Sequence, residues 1–152
     1  MGKNSSIVIP MDGFHYSKKE LTNFLLRLPI NEDLTINAPS FDHSKGDPEP
    51  DDIKVLPSHK IIIIEGLYLH LKTPPMWNPI ASHMDDTWFI HVDQEIAKER
   101  IIKRHIKTPE NEEQAIFRIE NNDMINADYI LKNSSPPTRI IYSIDDESNM
   151  KT

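Results

Sequence analysis

The 152-residue chain has no cysteine, which excludes a disulfide framework and a thiolate zinc site. That absence is compatible with a reducing compartment. Glycine is scarce as well, with 4 residues against 12 prolines. Proline punctuates loops, whereas glycine permits the tight turns that can cradle a phosphate, so very few such turns are available. Basic residues are in deficit: 17 Lys and Arg stand against 24 Asp and Glu, a net charge of −7. This balance argues against non-specific binding to nucleic acid or to anionic membranes, both of which need excess positive charge. A local basic patch for a phosphorylated small molecule stays open. No apolar run approaches the roughly 20 residues of a membrane-spanning helix, and Met1 to Ser6 is polar, without the apolar centre of a signal peptide. The length fits one domain, 1–152, with its own core, and a cytoplasmic setting is expected.

Strand and helix signals alternate along the chain. Ile7-Val8-Ile9 is a β-branched run closed by Pro10. Ser17 is a candidate cap for a helix from Lys18 to about Leu28, in which Leu21, Phe24, Leu25 and Leu28 recur on one face. Residues 29–59 read as a long polar, proline-rich loop. Ile61 to Ile64 is the strongest strand, and its unbroken β-branched run predicts cover on both faces, as in a parallel sheet. A weaker amphipathic stretch spans 76–84, and Thr87 to Val92 is a further strand. Asp93 can cap a helix running to about Lys107, and Thr108-Pro109 opens another helix to about residue 132. Thr138 to Ile144 completes the set as a last strand before an acidic tail. This alternation predicts α/β layering.

Ligands of open α/β sheets bind beyond the carboxyl ends of the strands, and three predicted strands lead there to an acid: Asp12, Glu65 and Asp93. Converging carboxylates suit magnesium binding and activation of a hydroxyl nucleophile. Each could equally cap a turn or a following helix, and for Asp93 the cap is the preferred reading. Arg100 and Arg104 share a helix face at i, i+4, with Lys103 and Lys107 in the adjacent row. Such cations can neutralise a transferred phosphoryl group; they can also form a solvated face, partly satisfied by a Glu99–Lys103 pair. Arg118, Asn122 and Asn126 make a polar row that faces either ligand or water. His15, His43 and His70 are scattered without zinc-ligand spacing, and no nucleophile elbow is present. Trp77 and Trp88 read as packing residues.

Taken in order, Met11-Asp12-Gly13-Phe14-His15, Phe41-Asp42-His43 with Gly46-Asp47-Pro48, Glu65-Gly66-Leu67-Tyr68-Leu69, and Arg100 with Lys103-Arg104-His105 resemble a known group. Asn122-Asp123 and Asn126-Ala127 extend the match, so that it covers roughly residues 7–131. The resemblance is to the YFH7-like P-loop kinases, a branch of the uridine kinase, pantothenate kinase and phosphoribulokinase superfamily. It implies a P-loop kinase-like parallel sheet flanked by helices, and ATP and magnesium as cofactors. It assigns Asp12 to the acceptor hydroxyl and Glu65 to the neighbourhood of the metal. Asp42 and His43 would line the acceptor pocket, a role extended to His15, Tyr68 and Asn122. Arg100 and Arg104 would lie on or beside the lid over the phosphates.

The chain departs from the family in two respects. Relatives begin with an apolar strand and a Gly-x-x-x-x-Gly-Lys-Ser/Thr loop, whereas Gly2-Lys3 is the only Gly-Lys pair here and has no preceding glycine. A second gap falls between Leu21 and Pro39, where relatives carry an Arg-Arg-Gly stretch. The expectation is therefore an incomplete sheet lacking its first strand and phosphate loop, with unpaired edges open to self-association and weak or absent catalysis. The acceptor would be a nucleoside or sugar. The alternative is a non-catalytic remnant that binds a metabolite or a partner protein.

Overall fold

The computed structural model describes residues 5–14, 18–28, 34–42, 44–73, 75–106 and 116–144. The chain divides into two compact units, Met1–Asp85 and Asp86–Thr152. Ser17, His15, His43, Lys107 and Thr108-Pro109 lie outside the described residues.

In the first unit, β1 (Ser6–Pro10) runs into a 3-10 turn (Met11–Phe14) and then α1 (Lys18–Leu26). The periodic face of α1 is buried as its spacing predicts, at Leu21, Phe24 and Leu25. Phe24 meets Phe14 with ring centroids 5.5 Å apart. The amides of Arg27 and Leu28 donate to the carbonyls of Phe24 and Leu25, both at 3.0 Å, tightening the last turn.

The stretch expected to be one long loop instead contains an antiparallel hairpin, β2 (Ile36–Asp42) and β3 (Asp47–Val55). Its polar surface residues hid the pattern, but Ile36, Ala38 and Val55 point inward and are buried. Alternation, rather than overall hydropathy, marks a sheet with one wet face. Pro39 and Pro50 interrupt the ladder between the Ala38–Ile53 and Ser40–Glu49 pairs, because proline has no N–H to donate.

β4 (Ile61–Glu65) pairs in parallel with β1, from Ser6 opposite Ile61 to Pro10 opposite Glu65. Cover on both faces is not observed. Ile62 and Ile64 pack against the core, whereas Ile61 and Ile63 are 43% and 49% exposed. Among the described residues β4 has β1 as its only strand partner and nothing seals its outer face. A short 3-10 turn (Pro75–Trp77) and α2 (Asn78–Ser82) close the unit, with Trp77 and Ile80 buried.

In the second unit, β5 (Trp88–His91) pairs in parallel with β6 (Arg139–Tyr142). Between them lie α3 (Gln94–Ile106), a π-helical turn (Ile119–Asp123) and α4 (Met124–Asn133). Asp93 caps α3 as expected: its Oδ1 accepts from the Glu95 amide at 3.0 Å. Trp88 is not a packing residue, since it is 57% exposed and its Nε1 donates to Asp86 Oδ2 at 2.8 Å. Among the described residues, no helix is long and apolar enough to cross a membrane.

Candidate active site

A parallel pair aligns the carboxyl ends of its two strands. Pro10 stands opposite Glu65 at the end of the β1–β4 ladder, and Asp12 follows two residues later in the 3-10 turn. Asp12 and Glu65 are therefore brought to the same edge, and both are exposed. This is the placement that the strand readings predicted.

Two glycines hold that edge close. A Cβ on Gly13 would strike the backbone carbonyl of Pro39, so the turn bearing Asp12 lies directly on β2. A Cβ on Gly66 would meet Cβ and Sδ of Met11, so the residue after Glu65 lies against the start of the Asp12 turn. Neither site needs a left-handed backbone; both need the missing side chain. The same turn supplies buried Met11 and Phe14 to the core, anchoring the exposed carboxylate between apolar neighbours. Tyr68, half-buried after Glu65, packs on Trp77 with ring centroids 5.7 Å apart.

Asp42 sits at the hairpin tip, where its local contacts build the turn. Its Oδ1 accepts from Ser44 N at 2.9 Å and from Ser44 Oγ at 2.6 Å. Its carbonyl accepts from Lys45 and Gly46 N–H, and Gly46 takes φ 73°. The Ser44 hydrogen bonds, with Lys45 Nζ 3.3 Å away, hold the Asp42 carboxyl below the usual carboxylate range.

Arg100, Arg104 and Asn122 belong to the second unit. Arg100 is half-buried and donates from Nη1 to Ser143 Oγ at 2.8 Å, just beyond β6. Arg104 is exposed on α3. The expected Glu99–Lys103 pair forms at 4.0 Å. Asn122 lies in the π-helical turn and accepts from Asn126 Nδ2 at 3.2 Å. Such turns interrupt α-helices mostly as single wide turns, frequently at functional positions, and no side-chain periodicity announces them.

A magnesium ion bound together with nucleotide phosphates takes one or two protein carboxylates, the rest of its shell being phosphate and water oxygens. Asp12 and Glu65 are donors of that kind and number. Among the described residues, no group of three or more His, Cys, Asp or Glu gathers as a metal cluster. Beside the hairpin lies a cleft lined by Asn23 and Arg27 of α1 and by Asn37 and Asp51, which no sequence motif announces.

No family model matches the chain. A Schizosaccharomyces pombe protein named as a uridine kinase is 36% identical over 163 residues, which cover 90% of this chain and 69% of that protein. The ATP-dependent kinase-like protein notR' of Aspergillus versicolor is 44% identical over 110 residues, 70% of this chain and 63% of its own length. The ATP-dependent kinase YFH7 of Zygosaccharomyces rouxii is 34% identical over 105 residues but is covered over only 28% of its length. The chain thus spans less than two thirds of two of these three relatives. Among solved structures, a protein of Silicibacter sp. TM1040 described as a fructose transport system kinase matches with TM-score 0.81 at 20% identity, covering 90% of this chain and 74% of its own. YFH7 of Saccharomyces cerevisiae, described as a P-loop kinase with a circular permutation, matches with TM-score 0.72 at 22% identity over 94% of this chain and 59% of its own. These two likenesses show the α/β fold of P-loop kinases, and the identity to the S. pombe protein shows that the chain belongs to the uridine kinase-like, YFH7-related family of P-loop kinases.

Proposed function

We propose that this chain is a kinase domain for ATP-dependent phosphorylation of a hydroxyl group on a small molecule, a nucleoside or a sugar. The observation that carries the proposal is that Asp12 and Glu65 both stand at the carboxyl edge of β1 and β4. In this reading Asp12 accepts or orients the proton of the acceptor hydroxyl as its oxygen bonds to the γ-phosphorus of ATP, while the bond to the bridging oxygen breaks and ADP leaves. Glu65 would hold a magnesium ion, which would supply positive charge to the phosphate oxygens. The family resemblance assigns Arg100 and Arg104, both of the second unit, to the phosphates, and the hydrogen bond to Ser143 restrains Arg100. The family resemblance assigns Tyr68, Asp42, His43, His15 and Asn122 to the acceptor. The relatives' names, one for a uridine kinase and one for a fructose transport system kinase, support a small-molecule acceptor.

The 152 residues contain no Gly-x-x-x-x-Gly-Lys sequence, and a backbone N–H cradle is the usual means of holding the β- and γ-phosphates. We therefore read turnover by these residues alone as weak, in a cytoplasmic setting, with open strand edges available for self-association. That same observation favours a second reading, a non-catalytic domain that retains only metabolite or partner binding. Calorimetry with magnesium–ATP separates the two. The kinase reading expects magnesium-dependent binding weaker than about 100 μM, reduced further by Glu65→Gln. A folded chain with no nucleotide binding at millimolar ATP supports the second reading instead.

A further inference from the structure

The hairpin carries a defect that its sequence imposes. Between the Ala38–Ile53 and Ser40–Glu49 pairs, Pro39 alone on β2 faces Pro50, Asp51 and Asp52 on β3. Two prolines without N–H donors meet there, the ladder cannot continue, and the extra residues bulge outward. Asp51 takes φ 58° as the chain turns back. A non-glycine residue in this region carries strain, and such residues cluster at ligand sites. Beside the bulge opens a cleft of 310 Å³, whose wall is completed by α1 and the Met11–Phe14 turn. That size is at the lower end for small-molecule sites.

The lining limits what the cleft can hold. Glu20, Asn23, Phe24 and Arg27 recur at the 3, 4, 7 spacing of one helix face and meet Asn37 and Asp51 from the hairpin. Two carboxylates stand against one guanidinium, which disfavours a phosphorylated or multiply anionic ligand. Carboxylates accept from hydroxyls, and each amide can both donate and accept, so adjacent hydroxyl groups are matched on several sides. The two aromatic residues at the floor do not offer a stacking surface: Phe14 and Phe24 are 6% and 4% exposed and tilted 48° to each other. A nucleobase would find ring edges there and no open face.

We infer that the cleft between α1 and the hairpin bulge binds a neutral polyol of monosaccharide size. The cleft adjoins the Asp12 turn, because Gly13 rests on the Pro39 carbonyl and both Pro39 and Phe14 line the cleft. Resting on the kinase reading for the transfer step, it makes the acceptor a sugar-like polyol in preference to a nucleoside, and seats it on the cleft residues in place of the Asp42, Tyr68 and Asn122 contacts that the resemblance implies.

The test is a nuclear magnetic resonance titration of the full 152-residue chain with D-glucose, D-ribose and uridine, without ATP. Glucose or ribose should shift the side-chain amide signals of Asn23 and Asn37, and uridine should bind no tighter than ribose. Asn37→Ala and Asp51→Asn, the latter chosen because asparagine tolerates the positive φ, should each weaken sugar binding about fivefold to tenfold. Unmoved amide signals, sugar affinity indifferent to both variants, or uridine binding tenfold tighter than ribose would each overturn the assignment. Sugar binding in the cleft with no magnesium–ATP-dependent transfer would overturn the kinase reading and leave the cleft standing. Transfer to a hydroxyl compound with the cleft signals unmoved would overturn the cleft alone.

Discussion

β1 and β4 pair in parallel over five residues, and β5 and β6 over four, yet the two pairs are secured by different forces. The first lies on an apolar cluster that includes Ile9, Leu21, Phe24, Leu25 and Ile36, all nearly inaccessible to water. The second has Ile119 and Ile130 as its buried apolar residues among those described, and Trp88, Ile90, Ile140 and Tyr142 are exposed on its strands. Polar contacts fasten its ends instead. Asp86 accepts from Thr138 Oγ1, from Trp88 Nε1 at 2.8 Å and from Arg139 Nε at 3.0 Å, tying the starts of β5 and β6 together. At the far end Ser143 N donates to the His91 carbonyl at 2.9 Å, and Arg100 reaches Ser143 Oγ. Apolar burial is insensitive to pH, whereas a polar staple depends on the charge of its acceptor. The difference therefore predicts how each unit fails.

The largest effect should come from the apolar cluster. Leu21→Ala removes a side chain that is 1% exposed and should cost about 2–5 kcal/mol, read by chemical denaturation. Next is Gly13→Ala. The new methyl meets the Pro39 backbone carbonyl, which cannot rotate away as a side-chain end can, and about 1–3 kcal/mol should be lost. If either substitution left the β1–β4 amides as protected from hydrogen exchange as before, the first unit would not be held by this packing.

A smaller effect, visible through pH, should come from the second unit. Hydrogen bonds from Thr138, Trp88 and Arg139 push the Asp86 carboxyl well below the ordinary value of 3.8. A depressed carboxylate stabilises the fold fully above its unfolded pKa, and the contribution drains away as pH falls through that value towards the folded one. Exchange protection of the Trp88–His91 amides should fall as pH drops below about 4, whereas in the first unit the comparable loss should centre on the hairpin tip around Asp42. Asp86→Asn should start lower and flatten this response. Because the Asp86 side chain is 41% exposed, solvent screening keeps the effect modest. The smallest effect belongs to Glu99→Gln: its pair with Lys103 is exposed on both sides at 4.0 Å, and stability should change by less than about 0.5 kcal/mol.

The sequence revealed these regions unevenly. The α1 stripe, β1, β4 and the Asp93 cap were legible because each rests on local spacing: a 3.6 period, a β-branched run, or an acid before a helix. The hairpin was not, because its inward positions alternate with Asp, Lys and Pro, and proline in both strands looked like loop chemistry. Trp88 was misread for a related reason. Size and aromaticity suggested burial, but its indole N–H is fixed by Asp86 at the surface. For the candidate site, strand endings located Asp12 and Glu65, since a strand's carboxyl end is visible in the chain. That both stand at one edge needed the β1–β4 register, a contact between residues more than fifty positions apart. The cleft beside Pro39 depended on two prolines falling opposite each other, which no local pattern encodes.

Phosphoryl transfer from ATP to a panel of sugars and nucleosides, compared among the wild-type chain, Asp12→Asn and Glu65→Gln, tests the proposed function most directly. The account predicts slow, magnesium-dependent transfer, below about 0.01 s⁻¹ against the ~1–100 s⁻¹ of typical kinases, and its loss in both variants while the chain stays folded. Transfer that persists undiminished in either variant, or a folded chain that transfers no phosphate at all, would contradict it.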